Sequence, residues 1–240
     1  MAQMKSFTII GLGGSIVVPR LSDEGGIDIA FLGKFRELIF RETEKGRKFL
    51  IIVGGGKTAR VYQKAASQIC KVSADDLDWI GIASTQLNAQ LLLATFRRDA
   101  YAEVISRKPS PKELAAIKKS AKDIFIASGW FPGQSSDYEA VYLAQEFEAK
   151  EFINASNVSF VYDKDPKQYK DAKPLKELSW GAYRKLIPSK WVPGLSTPID
   201  PTAAKLAQKS KITAKILKGT ELENLEKAIK GKEFTGTLIS

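Results

Sequence analysis

Three consecutive glycines at the end of an apolar run constrain this chain more than any other stretch: Ile51-Ile52-Val53-Gly54-Gly55-Gly56-Lys57-Thr58-Ala59-Arg60. The short apolar run reads as a buried strand, and Lys57 to Cys70 carries a helical pattern, so the glycines must turn one into the other. Glycine accepts positive φ and close backbone approach. The helix that follows presents unpaired N–H groups and a positive dipole end. The stretch therefore suits a phosphorylated ligand, and a plain tight turn is the competing reading. It is not a Walker loop, because the first glycine of G-x-x-x-x-G-K-[ST] would fall on Ile51.

Two further loops repeat the arrangement. Ser6 to Leu12 reads as a strand ending in Gly11-Leu12-Gly13-Gly14-Ser15; a dinucleotide fingerprint fails there, since its third glycine would be Ile16. Asp123 to Ala127 reads as a strand leading into Ser128-Gly129-Trp130-Phe131-Pro132-Gly133-Gln134-Ser135-Ser136-Asp137, with Ser136 and Glu139 expected to form a capping box for the helix through Phe147. Between these lie helices over Ile27 to Gly46, Lys57 to Cys70 (stripe Val61, Ala65, Ile69), a helix opened by Ser73 with Asp76 (stripe Ile80, Leu87, Leu91, Ala94), a strand over Tyr101 to Ser106, and a helix over Ser110 to Ser120. After Glu151 to Ala155, a strand, come a polar loop to Pro166, a helix near Ser179 to Leu186, a Pro-rich loop, and a helix begun by Asp200-Pro201. Thr213 to Leu217, a helix over Glu221 to Lys230 and a strand over Thr235 to Ile239 follow. Strands alternating with helices predict an α/β fold, a three-layer αβα sandwich on a mainly parallel central sheet, with ligands at the carboxyl ends of the strands. The 240 residues read as one domain.

Absences narrow the chemistry. There is no histidine, which excludes histidine-based triads, metal ligands and proton shuttles, and the single Cys70 has no partner for an intrachain disulfide. No apolar run approaches the roughly 20 residues of a membrane span and no signal peptide is recognisable, so a cytoplasmic protein with no membrane partner is expected. The net charge of +10 suits an anionic partner. Its basic residues are spread along the chain, which favours small nucleotides over nucleic acid.

The ordered set of Gly13-Gly14-Ser15, Val53-Gly54-Gly55-Gly56-Lys57 with Arg60, Asp78-Trp79-Ile80-Gly81 with Asn88, Pro132-Gly133 with Ser135-Ser136-Asp137, Tyr162 with Asp165-Pro166, and Ile199-Asp200-Pro201 with Ala203-Ala204-Lys205 resembles the amino acid kinase superfamily. Within it the set is most similar to the archaeal-type uridylate (UMP) kinases. The resemblance implies transfer of the γ-phosphoryl group of ATP, with Mg²⁺, to UMP. It implies an acceptor side over about 1–150, an ATP side over about 151–240, and a homo-oligomer, commonly a hexamer. It places UMP on Gly55, Asp78 and Trp130, Phe131, Pro132, Gly133, Gln134, Ser135 and Ser136. It places ATP on Gly14, Ser15, Gly56, Arg60, Ser156, Asn157, Tyr162 and Asp165. Lys57, Arg60, Asp137 and Asp200 are the candidate catalytic groups. Phosphoryl transfer needs positioning and positive electrostatics, which glycine amides, helix N-termini and a few basic side chains supply without histidine.

The residues leave competing readings. Asp137 and Asp200 also suit plain helix N-terminal carboxylates, and Asp78 the first turn of its own helix. Tyr162 also suits a half-buried strand aromatic, and Arg60 with Lys57 and Lys64 a solvated face. The segment Val158-Ser159-Phe160 stands where the family commonly has Val-Asp-Gly. That departure keeps open a catalytically weakened nucleotide-binding, storage or regulatory protein, beside a kinase for another small acceptor. Isopentenyl phosphate kinases resemble the chain too, but rely on a histidine that is absent here.

Overall fold

The computed structural model of the protein describes residues 7–20 and 26–240. In chain order the elements are β1 (Phe7–Leu12), α1 (Gly14–Val17), α2 (Ile29–Glu44), β2 (Lys48–Val53), α3 (Gly56–Ile69), α4 (Ala74–Phe96), α5 (Pro111–Lys119), β3 (Ile124–Ala127), α6 (Ser136–Glu146), β4 (Glu151–Ser156), β5 (Val161–Tyr162), β6 (Pro174–Leu175), β7 (Glu177–Leu178), α7 (Trp180–Leu186), α8 (Pro201–Ser210), β8 (Thr213–Lys218), α9 (Leu222–Ile229) and β9 (Thr237–Ile239). Seven strands form one sheet in the order β3-β2-β1-β4-β8-β9-β7, parallel except where β9 meets β8; β5 and β6 make a separate ribbon. The expected start of β1 at Ser6 lies outside the described residues.

Period-2 alternation makes this sheet the middle of three layers. Ile9, Leu50, Ile52, Phe125, Phe152 and Ile216 face a core shared with α6, α7 and α8. Their neighbours Ile10, Ile51, Val53, Ile124, Ile153 and Leu217 face a second core under α2, α4 and α9. Strands buried on both faces have to be continuously apolar, and Leu50 to Val53 is fully buried. Each such side chain contributes about 1.5–3 kcal/mol, so the position of β2 is fixed firmly.

Several local expectations are corrected. Tyr101 to Ser106 is not a strand: only Ala100 and Ile105 bridge to β3, because Ala102 and Glu103 face solvent between them and break the ladder. On α4 the buried stripe is Asp78, Ile82, Thr85, Ala89, Leu92 and Phe96, while Leu87 is 64% exposed; the apolar residues Leu87, Leu91 and Ala94 were the misleading ones. On α3 the stripe Val61, Ala65, Ile69 faces outward, and only Ala59 of the helix is buried. The capping box at Ser136 does not form. Ser135 is the N-cap of α6, its hydroxyl accepting from the Asp137 N–H, one residue ahead of the expected cap. Ile27, expected in α2, is exposed just before that helix, whose N-cap Asp28 accepts from the Phe31 N–H.

Candidate active site

β1 and β2 are hydrogen-bonded neighbours in register, Leu12 beside Val53, so both deliver their glycine turns to one place. The turns touch through main chain. The Gly54 N–H donates to the Leu12 carbonyl at 2.9 Å. A Cβ on Gly14 would collide with the Gly54 carbonyl and the Gly56 nitrogen, and a Cβ on Gly56 with the Gly14 carbonyl group. Gly56 also has φ +63°, a left-handed conformation that only glycine adopts cheaply. Asn88, buried on α4, donates from Nδ2 to the Gly54 carbonyl at 2.9 Å and fixes the second turn from outside.

Arg60 crosses between the turns. Its guanidinium, exposed on the first turns of α3, donates to Ser15 Oγ at 2.8 Å. This contact gives Arg60 more than a place on a solvated face, and it joins Gly14, Ser15, Gly55, Gly56 and Arg60 in one cluster at the α3 N-terminus, where the helix dipole favours anions. Lys57 stands exposed beside them on α3.

A cleft opens from this cluster between α3, α4 and the loop before α6. It is lined by Gly55, Gly56, Arg60, Asp78, Phe131, Gln134, Ser135 and Ser136 among the predicted residues. Asp78 is not a first-turn carboxylate: Ser73 caps α4, and Asp78 points into the cleft, 8% exposed. It accepts from the Gly133 N–H at 2.7 Å and from Trp191 Nε1 at 3.1 Å. Gly133 takes φ +88° to make that turn, with Pro132 half-buried before it. The Thr85 hydroxyl accepts from the Gly129 N–H at 2.9 Å and steadies the start of the same loop. Its two aromatics part company. Phe131 is 65% exposed at the cleft, whereas Trp130 is buried in the core, edge-on to Tyr142 at 6.1 Å, and anchors the loop rather than lining the cleft.

Asp137 and Asp200 fall behind the cleft. Asp200 is the N-cap of α8, accepting from the Thr202 and Ala203 N–H groups at 2.7 and 3.0 Å and from Ser135 Oγ at 2.7 Å. Asp137 accepts from Asn154 Nδ2 at 3.0 Å, and its Oδ2 lies 3.1 Å from Ser135 Oγ. Burial and the adjacent Asp200 carboxylate push its carboxyl up to about 8. Both side chains are held by contacts that tie α6, α8 and β4 together under the turns.

On the far side of β1, the Gly13 N–H donates to the Ala155 carbonyl at 2.8 Å, which brings Ser156 and Asn157 to the edge of the first turn. Tyr162 lies on β5, edge-to-face with Phe160 at 6.4 Å, and Asp165 accepts from the Lys167 N–H in an exposed turn. Among the described residues no hydrogen bond links Tyr162 or Asp165 to the glycine turns. Sequence reasoning missed Asn154, Trp191 and the cleft-facing role of Glu139. Asn154 carried a usable signal, an amide inside the apolar run of β4; Trp191, in a loop of 14 residues between α7 and α8 (187–200), carried none.

This fold is that of the amino acid kinase family, to which the chain belongs: the family's model matches residues 6–218. The chain is 34% identical to uridylate kinase from Archaeoglobus fulgidus over 97% of its length and 99% of that protein's, and 30% identical to uridylate kinase from Methanococcus aeolicus over 97% and 98%. A crystal structure of the Archaeoglobus fulgidus uridylate kinase superposes with a TM-score of 0.77 at 33% identity, covering 99% of this chain and all of that one. A UMP kinase structure from Ureaplasma parvum has the same fold, with a TM-score of 0.78 at 21% identity.

Proposed function

We propose that this chain is an ATP-dependent UMP kinase that makes UDP and ADP, and so serves pyrimidine nucleotide synthesis in the cytoplasm. The observation that carries the reading is the Gly14–Gly56 contact bridged by Arg60. Two phosphate-binding turns held together by main chain bring a donor and an acceptor phosphate to a common point, which is the chief requirement of phosphoryl transfer. UMP occupies the cleft of Gly55, Asp78, Phe131 and Ser136, with its phosphate on the α3 N-terminus. ATP occupies Gly14, Ser15, Ser156 and Asn157, with Tyr162 and Asp165 closing its outer side. The acceptor contacts thus fall within about 1–150, and about 151–240 supplies donor contacts beside those of Gly14 and Ser15. Arg60 and the turn amides neutralise the transferring phosphate. Mg²⁺ enters as part of the ATP substrate; among the described residues no group of three or more acidic or cysteine side chains could hold a resident metal ion.

A coupled assay with Mg·ATP over UMP, CMP, AMP and acetylglutamate tests the reading: turnover with UMP is expected to dominate, and no turnover with any of them overturns it. Asp78→Ala is expected to raise KM for UMP at least about tenfold, the loss of charge-assisted hydrogen bonds, while KM for ATP stays within about twofold. Equal effects on both substrates would return Asp78 to holding the loop.

The family resemblance further suggests a homo-oligomer, a hexamer in its common form. Its natural contact is the apolar surface that α3 and α4 leave uncovered, where Ile69 is 83% and Leu87 64% exposed. The purified protein should sediment well above 26.4 kDa, and Ile69→Glu should reduce its mass while leaving each protomer folded. A wild-type monomer at micromolar concentration rejects the assembly.

A further inference from the structure

The cleft holds one polar atom that no side chain or main-chain group among the described residues satisfies. Glu139, in the first turn of α6 and only 1% exposed, lines the cleft, and its Oε2 is buried without a hydrogen-bond partner. Its other oxygen, Oε1, accepts from Gln134 Nε2 at 3.0 Å and, at a long 3.4 Å, from the Trp130 N–H. Buried carboxylate oxygens without partners are costly and rare in folded proteins. The capping box does not explain Glu139, because the cap is Ser135 and the partners of Oε1 lie in the loop before it. A ligand group that donates a hydrogen bond accounts for it.

We infer that Glu139 reads the base of the acceptor nucleotide, its free Oε2 accepting the N3–H of a uracil ring. The inference rests on the acceptor cleft assigned above. A uracil edge presents a donor between two carbonyl acceptors. The cluster presents an acceptor oxygen, Oε2, with the Gln134 amide beside it, whose Nε2 carries a second hydrogen beyond the one given to Oε1. Cytosine fits worse, since its N3 is a lone pair that would face the carboxylate. Phe131, exposed at the same loop, offers an apolar surface for the ring. Glu139 therefore acts as a specificity residue, touching the base and not the reacting phosphate.

The charge of Glu139 makes this preference depend on pH. Burial pushes the carboxyl up to about 7. The other titratable groups around it are Asp137 on its own helix, Asp200 at the start of α8, and Asp78 on α4 and Arg60 on α3, which line the same cleft. Below about 7 the protonated carboxyl can donate to cytosine N3, so discrimination falls; above it the carboxylate accepts only.

The test measures kcat/KM for UMP and CMP, together with equilibrium binding of each nucleotide, from pH 6 to pH 8.5 for the wild type, Glu139→Gln and Glu139→Leu. In the wild type the UMP:CMP ratio is expected to rise with pH. Glu139→Leu should lower that ratio about ten- to hundredfold at pH 8, the usual effect of losing a hydrogen bond to a charged group. Glu139→Gln, which keeps an acceptor oxygen, should retain part of the preference and lose its pH dependence. An unchanged ratio in Glu139→Leu, or a sloping one in Glu139→Gln, overturns the inference alone. A wild type that neither binds nor phosphorylates UMP overturns the acceptor assignment and this inference with it. The binding arm still reads the preference if a variant turns over too slowly to assay.

Discussion

Gly56→Ala should lower kcat/KM at least about a hundredfold and lower the stability of the protein by a few kcal/mol. Two separate costs add at this position. Alanine in a left-handed conformation costs about 1–2 kcal/mol before any contact is considered, and Gly56 sits at φ +63°. The new methyl must also push against the Gly14 carbonyl group, which is backbone and cannot rotate away. Relief requires the two turns to part, and a displacement near 1 Å at a transfer site costs on the order of a hundredfold in rate. Gly33→Ala is the matched control. It lies on the exposed face of α2, where an added Cβ meets nothing within 4 Å, so the substitution should stabilise by about 0.5–1 kcal/mol through helix propensity alone. Urea unfolding and steady-state kinetics of the two variants check the contrast, and an active Gly56→Ala enzyme with wild-type stability would show that the turns are not held in contact.

The second large effect is a pH dependence of stability that Asp137→Asn removes. Asp137 keeps its proton up to about pH 8 in the folded chain, against an ordinary value of 3.8. Between those two values the unfolded chain has lost this proton and the native chain retains it. The native state therefore binds more protons, and stability falls as pH rises across the window. One pKa unit is worth about 1.4 kcal/mol, so the fall attributable to Asp137 is expected to be on the order of 3 kcal/mol between pH 5 and pH 8.5. Glu139 adds to it with the same sign up to about pH 7. In the variant the new amide's oxygen would still accept from Asn154, and its NH₂ group would meet Ser135 without carrying charge. Unfolding midpoints measured across this range should converge for the two proteins at pH 5 and separate at pH 8.5, the variant being the more stable. Parallel curves would mean that Asp137 is ionised in the native state.

Much of the architecture was legible because apolar periodicity reports burial directly. β1, β2, β3, β4 and β8 are runs too apolar for anything but a sheet covered on both sides, and the helices between them dictated a parallel order. The errors arose where burial and sequence pattern part. Val61, Ala65 and Ile69 form an apolar helical stripe, yet they face outward, and periodicity alone does not distinguish a core from a surface awaiting a partner. On α4 the inward face carries Asp78, Thr85 and Asn88, which bond the main chain of the neighbouring loops, so an apolar pattern points to the wrong side. Glu139 stands three residues after Ser136, the spacing of a capping box, but the helix begins one residue earlier and frees that carboxyl for the cleft. Within the site, the glycine turns were visible from composition, whereas their mutual contact needed the β1–β2 pairing and the Trp191–Asp78 bond needed the path of a whole loop.

The main-chain contact between Gly14 and Gly56 also means that the gap between the two turns is set chiefly by backbone. That gap is measured out by the pairing of β1 with β2. A slip of one residue in that pairing would move one turn past the other by about 3.3 Å and turn the strand's buried side chains to the opposite core. The alternation of Ile9, Ile10, Leu50 and Ile51 between two cores is thus the ruler against which the spacing of the two turns is kept, by the same packing that folds the sheet.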